Sequence, residues 1–128
     1  MRFVIDTNTY SDFMRNSQEV FVRFVSARQI FVPFIVAAEL RGGFAAGTMS
    51  RRNEEKFWEF LSNERVSMLF ADEVTTIVYA DLYAQLRRQG RPIPSNDLWI
   101  ASLAVQHSLP LFTRDKHFVN FPQLTILG

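Results

Sequence analysis

The chain opens with the stretch Arg2-Phe3-Val4-Ile5-Asp6, in which a short run of branched and aromatic residues ends at an acidic residue. Such a run is typical of a buried β-strand. A charge beside a buried hydrophobic stretch is costly unless a counter-charge compensates it. The position of Asp6 therefore requires a partner, and three other carboxylates occupy comparable places further along the chain.

Those carboxylates are Glu39, Asp97 and Asp115. Glu39 lies inside an apolar run, Asp97 opens a largely apolar segment, and Asp115 follows the strand-like residues 109–112. Few basic residues lie close to them in sequence. The pattern therefore indicates one shared counter-charge, and a divalent metal ion is the natural candidate.

The composition is that of a globular protein. With 128 residues, 48% of them hydrophobic, we expect one domain over residues 1–128. A net charge of +1 is weaker than the footprint of a protein that holds nucleic acid by charge alone, although RNA or DNA remains open as a transient substrate. The lack of cysteine excludes disulfides, zinc–thiolate sites and thiol nucleophiles.

The N-terminus runs directly into a strand pattern, without the regions of a signal peptide. No apolar run approaches the roughly 18 residues needed to cross a membrane. We therefore expect a cytoplasmic protein without a membrane partner.

Strand-like and helix-like segments alternate along the chain. The strand-like runs are 2–5, 29–32, 66–70, 109–112 and 124–127. The helical patterns are 7–14, 18–28, 33 to about 41, 50–63, 72–89, and a last one from Pro94 or Ser95 through His107. Gly42-Gly43 is expected to weaken or end the third helix. This alternation predicts an α/β fold with a mostly parallel sheet covered on both faces.

Phenylalanine is abundant, with 13 residues, and much of it falls on the early helices. The members of this group are Phe13, Phe21, Phe24, Phe44, Phe57 and Phe60. Packing in the core is the better interpretation for any single ring. A domain of this size need not bury all of them, however, and an exposed apolar patch usually marks a partner surface.

Topology brings the four acids together. In an open parallel sheet, ligands gather at the carboxyl ends of the strands. Asp6 and Asp115 both follow strands directly, and Asp97 lies in the first turn of a helix that should begin at the same edge. Glu39, one or two turns into its helix, has the longer side chain needed to reach the same place.

Each acid also has a simpler interpretation. Asp6 and Asp115 could be helix N-caps, and Asp97 could be favoured by the dipole of its helix. Glu39 is the hardest to explain in this way, because its neighbours are apolar and Arg41, two residues away, faces another side of the helix. The joint pattern favours a site. Its oxygen ligands select a hard cation, so Mg²⁺ or Mn²⁺ fits better than zinc.

The remaining polar candidates are weaker. His107 falls near a helix C-terminus, where a surface capping role is expected, and His117 fits either solvated surface or an accessory substrate contact. Basic side chains that could hold a polyanionic backbone are Arg41, Arg51, Arg52, Arg87, Arg88, Arg91, Arg114 and Lys116. Each is by itself better explained as an ordinary solvated charge. Arg87, Arg88 and Arg91 are the most interesting, because they precede Asp97.

Four motifs carry a family resemblance across essentially the whole chain. They are Val4-Ile5-Asp6-Thr7-Asn8, residues 38–43, residues 93–101, and Leu111-Phe112-Thr113-Arg114-Asp115 with Phe118 following. In this order and spacing they resemble the PIN-domain nucleases, and the size and layout are similar to the VapC-type toxins. The resemblance implies a PIN-like three-layer α/β/α sandwich.

The resemblance also implies a site and an activity. Asp6, Glu39, Asp97 and Asp115 would form the acidic catalytic and metal site for Mg²⁺ or Mn²⁺, with Asn8 and Thr113 orienting the carboxylates. The activity would be that of an endoribonuclease toxin acting on structured cellular RNA such as transfer or ribosomal RNA.

The resemblance further implies a homodimer and a cognate antitoxin. The C-terminal segment of the antitoxin would lie across the active-site groove, and the Phe-rich helices between Asp12 and Phe60 would supply the groove and dimer surfaces. Two departures from the family pattern stand out. Ala38 replaces a frequent Ser or Thr before the glutamate, and Asn96 stands where some members carry another acid, which puts a firmly held second metal ion in doubt.

Two other functions compete with the nuclease. One is a non-catalytic binding module that keeps the fold and its acidic edge. The other is a phosphoaspartyl receiver or phosphotransferase, since Asp6-Thr7-Asn8-Thr9 loosely resembles an aspartate-nucleophile loop. Such sites want a second acid beside the nucleophile and a well-placed lysine, and Asn8 and the scarcity of lysine (Lys56 and Lys116) argue against it.

Overall fold

The structure, a computed structural model, describes the whole chain from Met1 to Gly128. In chain order the elements are β1 (Arg2–Ile5), α1 (Thr7–Met14), α2 (Gln18–Ser26), β2 (Gln29–Pro33), α3 (Phe34–Ala46), α4 (Ser50–Leu61), β3 (Val66–Leu69), α5 (Glu73–Gln89), α6 (Ser95–Gln106), β4 (Leu111–Phe112), a 3₁₀ helix (Lys116–Asn120) and β5 (Ile126–Leu127). None of the helices combines the length and apolar character needed to cross a membrane.

The five strands form one sheet in the order β3-β2-β1-β4-β5, and every neighbouring pair is parallel. The predicted α/β fold, with a central sheet flanked by helices, is confirmed, and the sheet is parallel throughout. β1 lies at its centre, where Phe3, Val4 and Ile5 are fully buried. Because the strands are parallel, all their carboxyl ends meet at one edge, and this edge carries the candidate site.

The third helix departs from the prediction, because α3 continues through Gly42-Gly43 to Ala46. Two glycines inside a helix cost about 1 kcal/mol each relative to alanine. Contacts with α4 offset that cost. Phe44 packs edge-on against Phe57 with ring centroids 6.2 Å apart, and the guanidinium of Arg41 forms a two-pronged ion pair with Glu54 at 3.0 and 3.1 Å.

The ends of α5 follow from local chemistry. Asp72 caps its N-terminus, since the carboxylate accepts a hydrogen bond from the backbone N–H of Thr75 while the Thr75 hydroxyl binds the backbone N–H of Asp72. Gly90 closes its C-terminus with φ of +66°, a left-handed conformation that favours glycine. Helix α6 ends one residue earlier than predicted, and exposed His107 is its C-cap, as expected.

The phenylalanines of the early helices form a mostly internal cluster. Phe24 and Phe57 are buried, Phe13 and Phe60 are partly buried, and Phe21 is 51% exposed. Tyr10 lies in the same cluster, with its ring 5.3 Å from that of Phe57 and 5.1 Å from that of Phe60. Burial, reinforced by the nearby charge of Glu54, raises the pKa of Tyr10 to about 12.

Candidate functional site

The four predicted carboxylates converge at the carboxyl edge of the sheet. Asp6 follows β1 and caps α1, Asp115 follows β4 and caps the 3₁₀ helix, and Asp97 lies in the first turn of α6. Glu39 reaches the same place from the second turn of α3. A small open cavity of about 150 Å³ joins them, lined by Asp6, Thr7, Asn8, Glu39, Asp97, Ile100 and Asp115.

Asp6 is the buried member of the group, with only 4% of its surface exposed. Its Oδ1 accepts a hydrogen bond from the backbone N–H of Thr9 at 2.9 Å and lies 2.7 Å from the Thr9 hydroxyl. Its Oδ2 accepts a short hydrogen bond from the hydroxyl of Thr113. These donors satisfy both carboxylate oxygens and fix their orientation. Asp6 is thus both the N-cap of α1 and a member of the acidic cluster.

Glu39 is exposed, so the burial of its charge, which the apolar surroundings in sequence suggested, does not occur. Its carboxylate is nevertheless held in place. Oε1 accepts a hydrogen bond from the Thr7 hydroxyl at 2.6 Å, and Oε2 accepts one from the side-chain amide of Asn96 at 3.2 Å. Asn96, at the position where the resemblance suggested another acid, therefore holds the side chain of Glu39 in place.

Asp97 and Asp115 share the imidazole of His117. Nδ1 of His117 lies 2.9 Å from Oδ2 of Asp97 and 3.3 Å from Oδ1 of Asp115. The two carboxylate side chains are 19% and 26% exposed, so solvent still reaches them. One oxygen from each acid and one nitrogen of the histidine all lie within 4.8 Å of one another, close enough to bind a single ion.

Burial and neighbouring charges shift the pKa values of Asp97 and His117. Burial raises the pKa of Asp97 above its usual range, and the neighbouring charges of Asp115 and Glu39 add to that effect, while the hydrogen bond from His117 opposes it. The pKa of His117 is raised by the hydrogen bond with Asp97 and then by the charge of Asp115. The two carboxylates thus favour the protonated form of the imidazole.

Hydrogen bonds join three of the acids in one continuous network. The Thr113 hydroxyl donates to Asp6 and accepts from the backbone N–H of Asp115 at 2.9 Å. Asp115 in turn accepts from the backbone N–H of His117, whose ring contacts Asp97. Because these partners share donors and acceptors, the acids are held at fixed distances before any ligand arrives.

The two residues expected to orient the carboxylates differ in their contacts. Thr113 makes the contact expected of it, whereas Asn8 is exposed and donates no hydrogen bond to the carboxylates. Its neighbours Thr7 and Thr9 do so instead. The contact of Thr9 had a signal in the sequence, because an N-cap aspartate binds the residue three positions later. The contacts of Thr7 and Asn96 had none.

The candidate RNA-binding arginines divide into two groups. Arg41 is paired with Glu54, and Arg114 is paired with Asp12 at 2.8 Å. Arg87, Arg88 and Arg91, which lie at and just beyond the end of α5, form no ion pair. Arg91 instead donates to the side-chain oxygen of Asn120 at 2.9 Å.

A second hollow of about 290 Å³ lies between α1, α3 and α4, apart from the acidic cavity. It is lined by Tyr10, Ser11, Met14, Arg15, Leu40, Phe44, Asn53 and Lys56. Its lining is half hydrophobic and holds no member of the acidic cluster, so the chemistry lies at the smaller cavity.

The sequence is similar to known proteins along nearly its whole length. Residues 3–124 match the sequence profile of the PIN domain. Ribonuclease VapC1 of Haemophilus influenzae (strain R2866) is 33% identical over 129 aligned residues, covering 97% of this chain and 95% of the relative. Ribonuclease VapC2 of Rickettsia felis is 29% identical, with 98% and 96% covered.

The fold of the chain is also similar to that of chains in solved structures. The chain resembles one in the crystal structure of VapBC2 from Rickettsia felis bound to a promoter DNA fragment, with a TM-score of 0.88, 26% identity, and coverage of 99% of this chain and 98% of the other. It also resembles one in VapBC-1 from nontypeable Haemophilus influenzae, with a TM-score of 0.86, 28% identity, and coverage of 100% and 98%.

Proposed function

The chain belongs to the PIN-domain family, and from that premise we propose that it is an endoribonuclease toxin that depends on a divalent metal ion and is neutralised by a cognate antitoxin. The relatives named ribonuclease VapC support the reaction, and the VapBC complexes support the antitoxin. The observation that carries the proposal is the convergence of Asp6, Glu39, Asp97 and Asp115 on one cavity.

The residues present fit a hard divalent cation. The cavity offers carboxylate oxygens and no sulfur ligand, and this oxygen-rich donor set suits Mg²⁺ or Mn²⁺. Burial is the main cause of the raised pKa of Asp97, and the charges of Asp115 and Glu39 that add to it also favour a cation there. When bound, such an ion supplies a water of lowered pKa and stabilises the negative charge that builds up on a phosphodiester.

The chain's own residues supply position and charge. Asp97 and Asp115, which remain partly exposed, are the direct ligands in this proposal, together with Asp6. The hydroxyls of Thr9 and Thr113 fix the orientation of the Asp6 carboxylate, which lines the cavity. Thr7 and Asn96 hold Glu39 across the cavity from them. Fixing these groups in advance lowers the reorganisation needed when the phosphodiester arrives.

The partners proposed are RNA, a cognate antitoxin and a second copy of the chain. The half-hydrophobic hollow between α1, α3 and α4 is a suitable seat for an antitoxin segment, because it adjoins the Phe-rich helices and offers both apolar and basic lining. Transfer or ribosomal RNA is the proposed substrate class.

The competing functions find less support. A phosphoaspartyl transferase needs a second acid beside the nucleophilic aspartate, yet Asn8 stands two residues after Asp6. No lysine lines the acidic cavity. Nothing in the geometry favours a binding module that has lost its activity, because all four acids are present and ordered by neighbouring donors.

The test is cleavage of a total small-RNA pool by the purified, partner-free chain, with Mg²⁺ or Mn²⁺ and then with chelator. Asp97→Asn is the inactive variant, and Asp81→Asn, an exposed aspartate on α5, is the matched control. Discrete fragments that vanish with chelator and with Asp97→Asn, but persist with Asp81→Asn, are expected. Cleavage that survives both treatments would contradict the proposal.

A further inference from the structure

Four aromatic side chains form a continuous row beside the acidic cavity. The ring of Phe34 meets that of Trp99 edge-on at 6.2 Å, and Trp99 lies 4.4 Å from Tyr79. Tyr79 is stacked on Tyr83 at 6.4 Å with an angle of 15° between the rings. We call these four residues the aromatic row. Tyr83 is 48% exposed and the other three are partly exposed, so the row reaches the surface, although Tyr79 also packs against the core.

The geometry of two helices produces the row. Tyr79, Tyr83 and Arg87 are spaced four residues apart on α5, so they share one face of that helix. Trp99 of α6 packs against the first of them. Arg87 ends the series, since its guanidinium carbon lies 5.9 Å from the centre of the Tyr83 ring and Nη1 donates to the Tyr83 hydroxyl at 3.3 Å.

The first two rings of the row lie on helices that also carry acids of the cavity. Asn96, which holds Glu39, and Trp99 are three residues apart on α6 and therefore lie one above the other on that helix. Phe34 is the first residue of α3, the helix that carries Glu39. The same two helices thus present both the acids and the first two rings.

The arginine end of α5 also lies on the side of the site. The hydroxyl of Thr75, near the start of α5, is hydrogen-bonded to Gln106 at the end of α6, so the two helices run antiparallel. The end of α5 is therefore beside the start of α6, where Asp97 lies. Arg91 confirms this placement, because it donates to Asn120 in the same 3₁₀ helix as His117.

The charge of this surface is not neutralised. Arg87, Arg88 and Arg91 are free of ion pairs, whereas Arg41, Arg51 and Arg114 each face a carboxylate. Three unpaired guanidinium groups beside a row of rings complement a chain that carries phosphates and flat bases.

We propose that the aromatic row, with Arg87 at its end, is a stacking platform for unpaired RNA bases next to the bond that is cut. This inference rests on the ribonuclease activity proposed above and names its substrate as single-stranded RNA, such as a loop or tail. Bases paired inside an A-form helix cannot offer their faces to side chains, whereas splayed bases can stack on Tyr and Trp rings.

A second copy of this chain fits the same surface less well. Exposed aliphatic residues of α5, Val74 and Ile77, lie toward the opposite end of the helix from the arginines. A two-fold contact on the row in which the two copies of α5 ran parallel would bring Arg87, Arg88 and Arg91 of both copies together. Their like charges would then oppose association, while RNA phosphates would be attracted.

The test compares two probes that differ only in their bases. One is a fluorescein-labelled unstructured RNA of about ten nucleotides, and the other is the same backbone with abasic sites at its central positions. Binding is measured by anisotropy in chelator, so that the RNA stays intact, for the full chain and for Tyr83→Leu and Tyr83→Phe. Phe70→Leu, an exposed ring outside the row, is the matched control.

We expect Tyr83→Leu to bind the intact RNA about 5- to 20-fold more weakly, which corresponds to the loss of one stacked base. Tyr83→Phe, which keeps the ring, and Phe70→Leu should bind as the unaltered chain does. The abasic RNA should bind equally to all four proteins. A 2-aminopurine in the intact RNA should be quenched by the unaltered chain and not by Tyr83→Leu, a signal that a purely structural role would not move.

Unchanged binding of the intact RNA by Tyr83→Leu would overturn the platform, and so would an equal loss of affinity for the abasic RNA. A third contradicting result is that Tyr83→Leu loses RNA binding and also has a lower molecular mass than the unaltered chain in light scattering. The last result would assign the row to self-association. Cleavage of the intact RNA in Mn²⁺ separates the two proposals. Tyr83-dependent binding without any cleavage would support the platform and contradict the nuclease, whereas cleavage that Tyr83→Leu leaves unchanged would contradict the platform alone.

Discussion

Thr113 donates a hydrogen bond to Oδ2 of Asp6, although 107 positions separate the two residues in the chain. The register of the sheet explains the contact, because Ile5 of β1 is paired with Phe112 of β4 and each of the two polar residues follows directly. Two parallel strands that end side by side thereby place a carboxylate and its donor together.

Removing that donor should weaken both the fold and the site. Thr113→Val keeps the shape but leaves a buried carboxylate oxygen without its partner, so we expect the free energy of unfolding to fall by about 1.5–3 kcal/mol. Urea denaturation of the metal-free chain measures this loss. Thr113→Ser retains the hydroxyl and should recover most of the stability. Unchanged stability of Thr113→Val, with a loss confined to Thr113→Ser, would show that packing of the methyl group, and not the hydrogen bond, is responsible.

Asp97→Asn should separate activity from stability. Burial and the charges of Asp115 and Glu39 disfavour the ionised carboxylate, as its raised pKa indicates, while the contact with His117 favours it. A neutral amide of the same shape should therefore leave the unfolding free energy of the metal-free chain within about 1 kcal/mol of its original value. RNA cleavage should nevertheless be abolished. If Asp97→Asn proved much less stable than the unaltered chain, its lost cleavage would be explained by unfolding.

A divalent cation should stabilise the folded chain in a concentration-dependent way. An ion that binds only the folded state at 100 times its dissociation constant adds about 2.7 kcal/mol to the free energy of unfolding. Thermal unfolding with increasing Mn²⁺ or Mg²⁺ measures the effect, and chelator should reverse it. Asp81→Asn should respond as the unaltered chain does, whereas Asp97→Asn should respond weakly. An equal response of both variants would place the ion elsewhere.

The stability of α5 should depend on acid through Asp72. The backbone N–H of Thr75, followed by the side chain of Gln106, lowers the pKa of Asp72 below its usual value of 3.8. The ionised carboxylate therefore stabilises the fold above that value, and this contribution disappears as the pH falls through the lower pKa of the folded state.

Asp72→Asn isolates the charge, since asparagine still caps a helix. The variant should unfold at a lower urea concentration at pH 7, and the difference from the unaltered chain should shrink below about pH 4. Urea midpoints at pH 7, 5 and 3 check the trend. A gap of the same size at pH 3 would mean that the amide is simply a poorer cap.

The unpaired arginines should contribute more to RNA binding than the paired ones. Arg88→Ala removes a free charge, so the slope of log affinity against log salt should fall by about 0.7 for single-stranded RNA. Arg41→Ala, whose charge is already matched by Glu54, should leave the slope unchanged. Salt titrations of binding in chelator distinguish them. A larger change for Arg41→Ala would reverse the assignment.

The convergence of Asp6, Asp97 and Asp115 at one edge could be predicted because it depends on topology. Each follows a strand or begins a helix, and parallel strands end at the same edge. The simpler interpretation of Asp6 as an N-cap was also right, and the two roles coincide in one residue. A sequence pattern reports where an element ends, which is enough to place these three acids.

Contacts that depend on side-chain reach and on helix packing could not be predicted. The link from Asn96 to Glu39 requires the starts of α3 and α6 to meet, and the stacking of Tyr79 near Trp99 depends on how α5 crosses α6. The continuation of α3 past Gly42-Gly43 likewise depends on tertiary contacts with α4, which outweigh the local preference of glycine.

Asp6 both caps α1 and lines the acidic cavity, and this affects which substitutions evolution can accept there. Replacing this residue by an apolar one would remove the proposed metal ligand together with the cap that starts α1, so a loss of activity through this position would also destabilise the fold. Glu39 is exposed and caps no helix, and its loss leaves the core untouched. Descendants that no longer need the reaction should therefore drift first at Glu39 and retain a capping side chain at position 6 long afterwards.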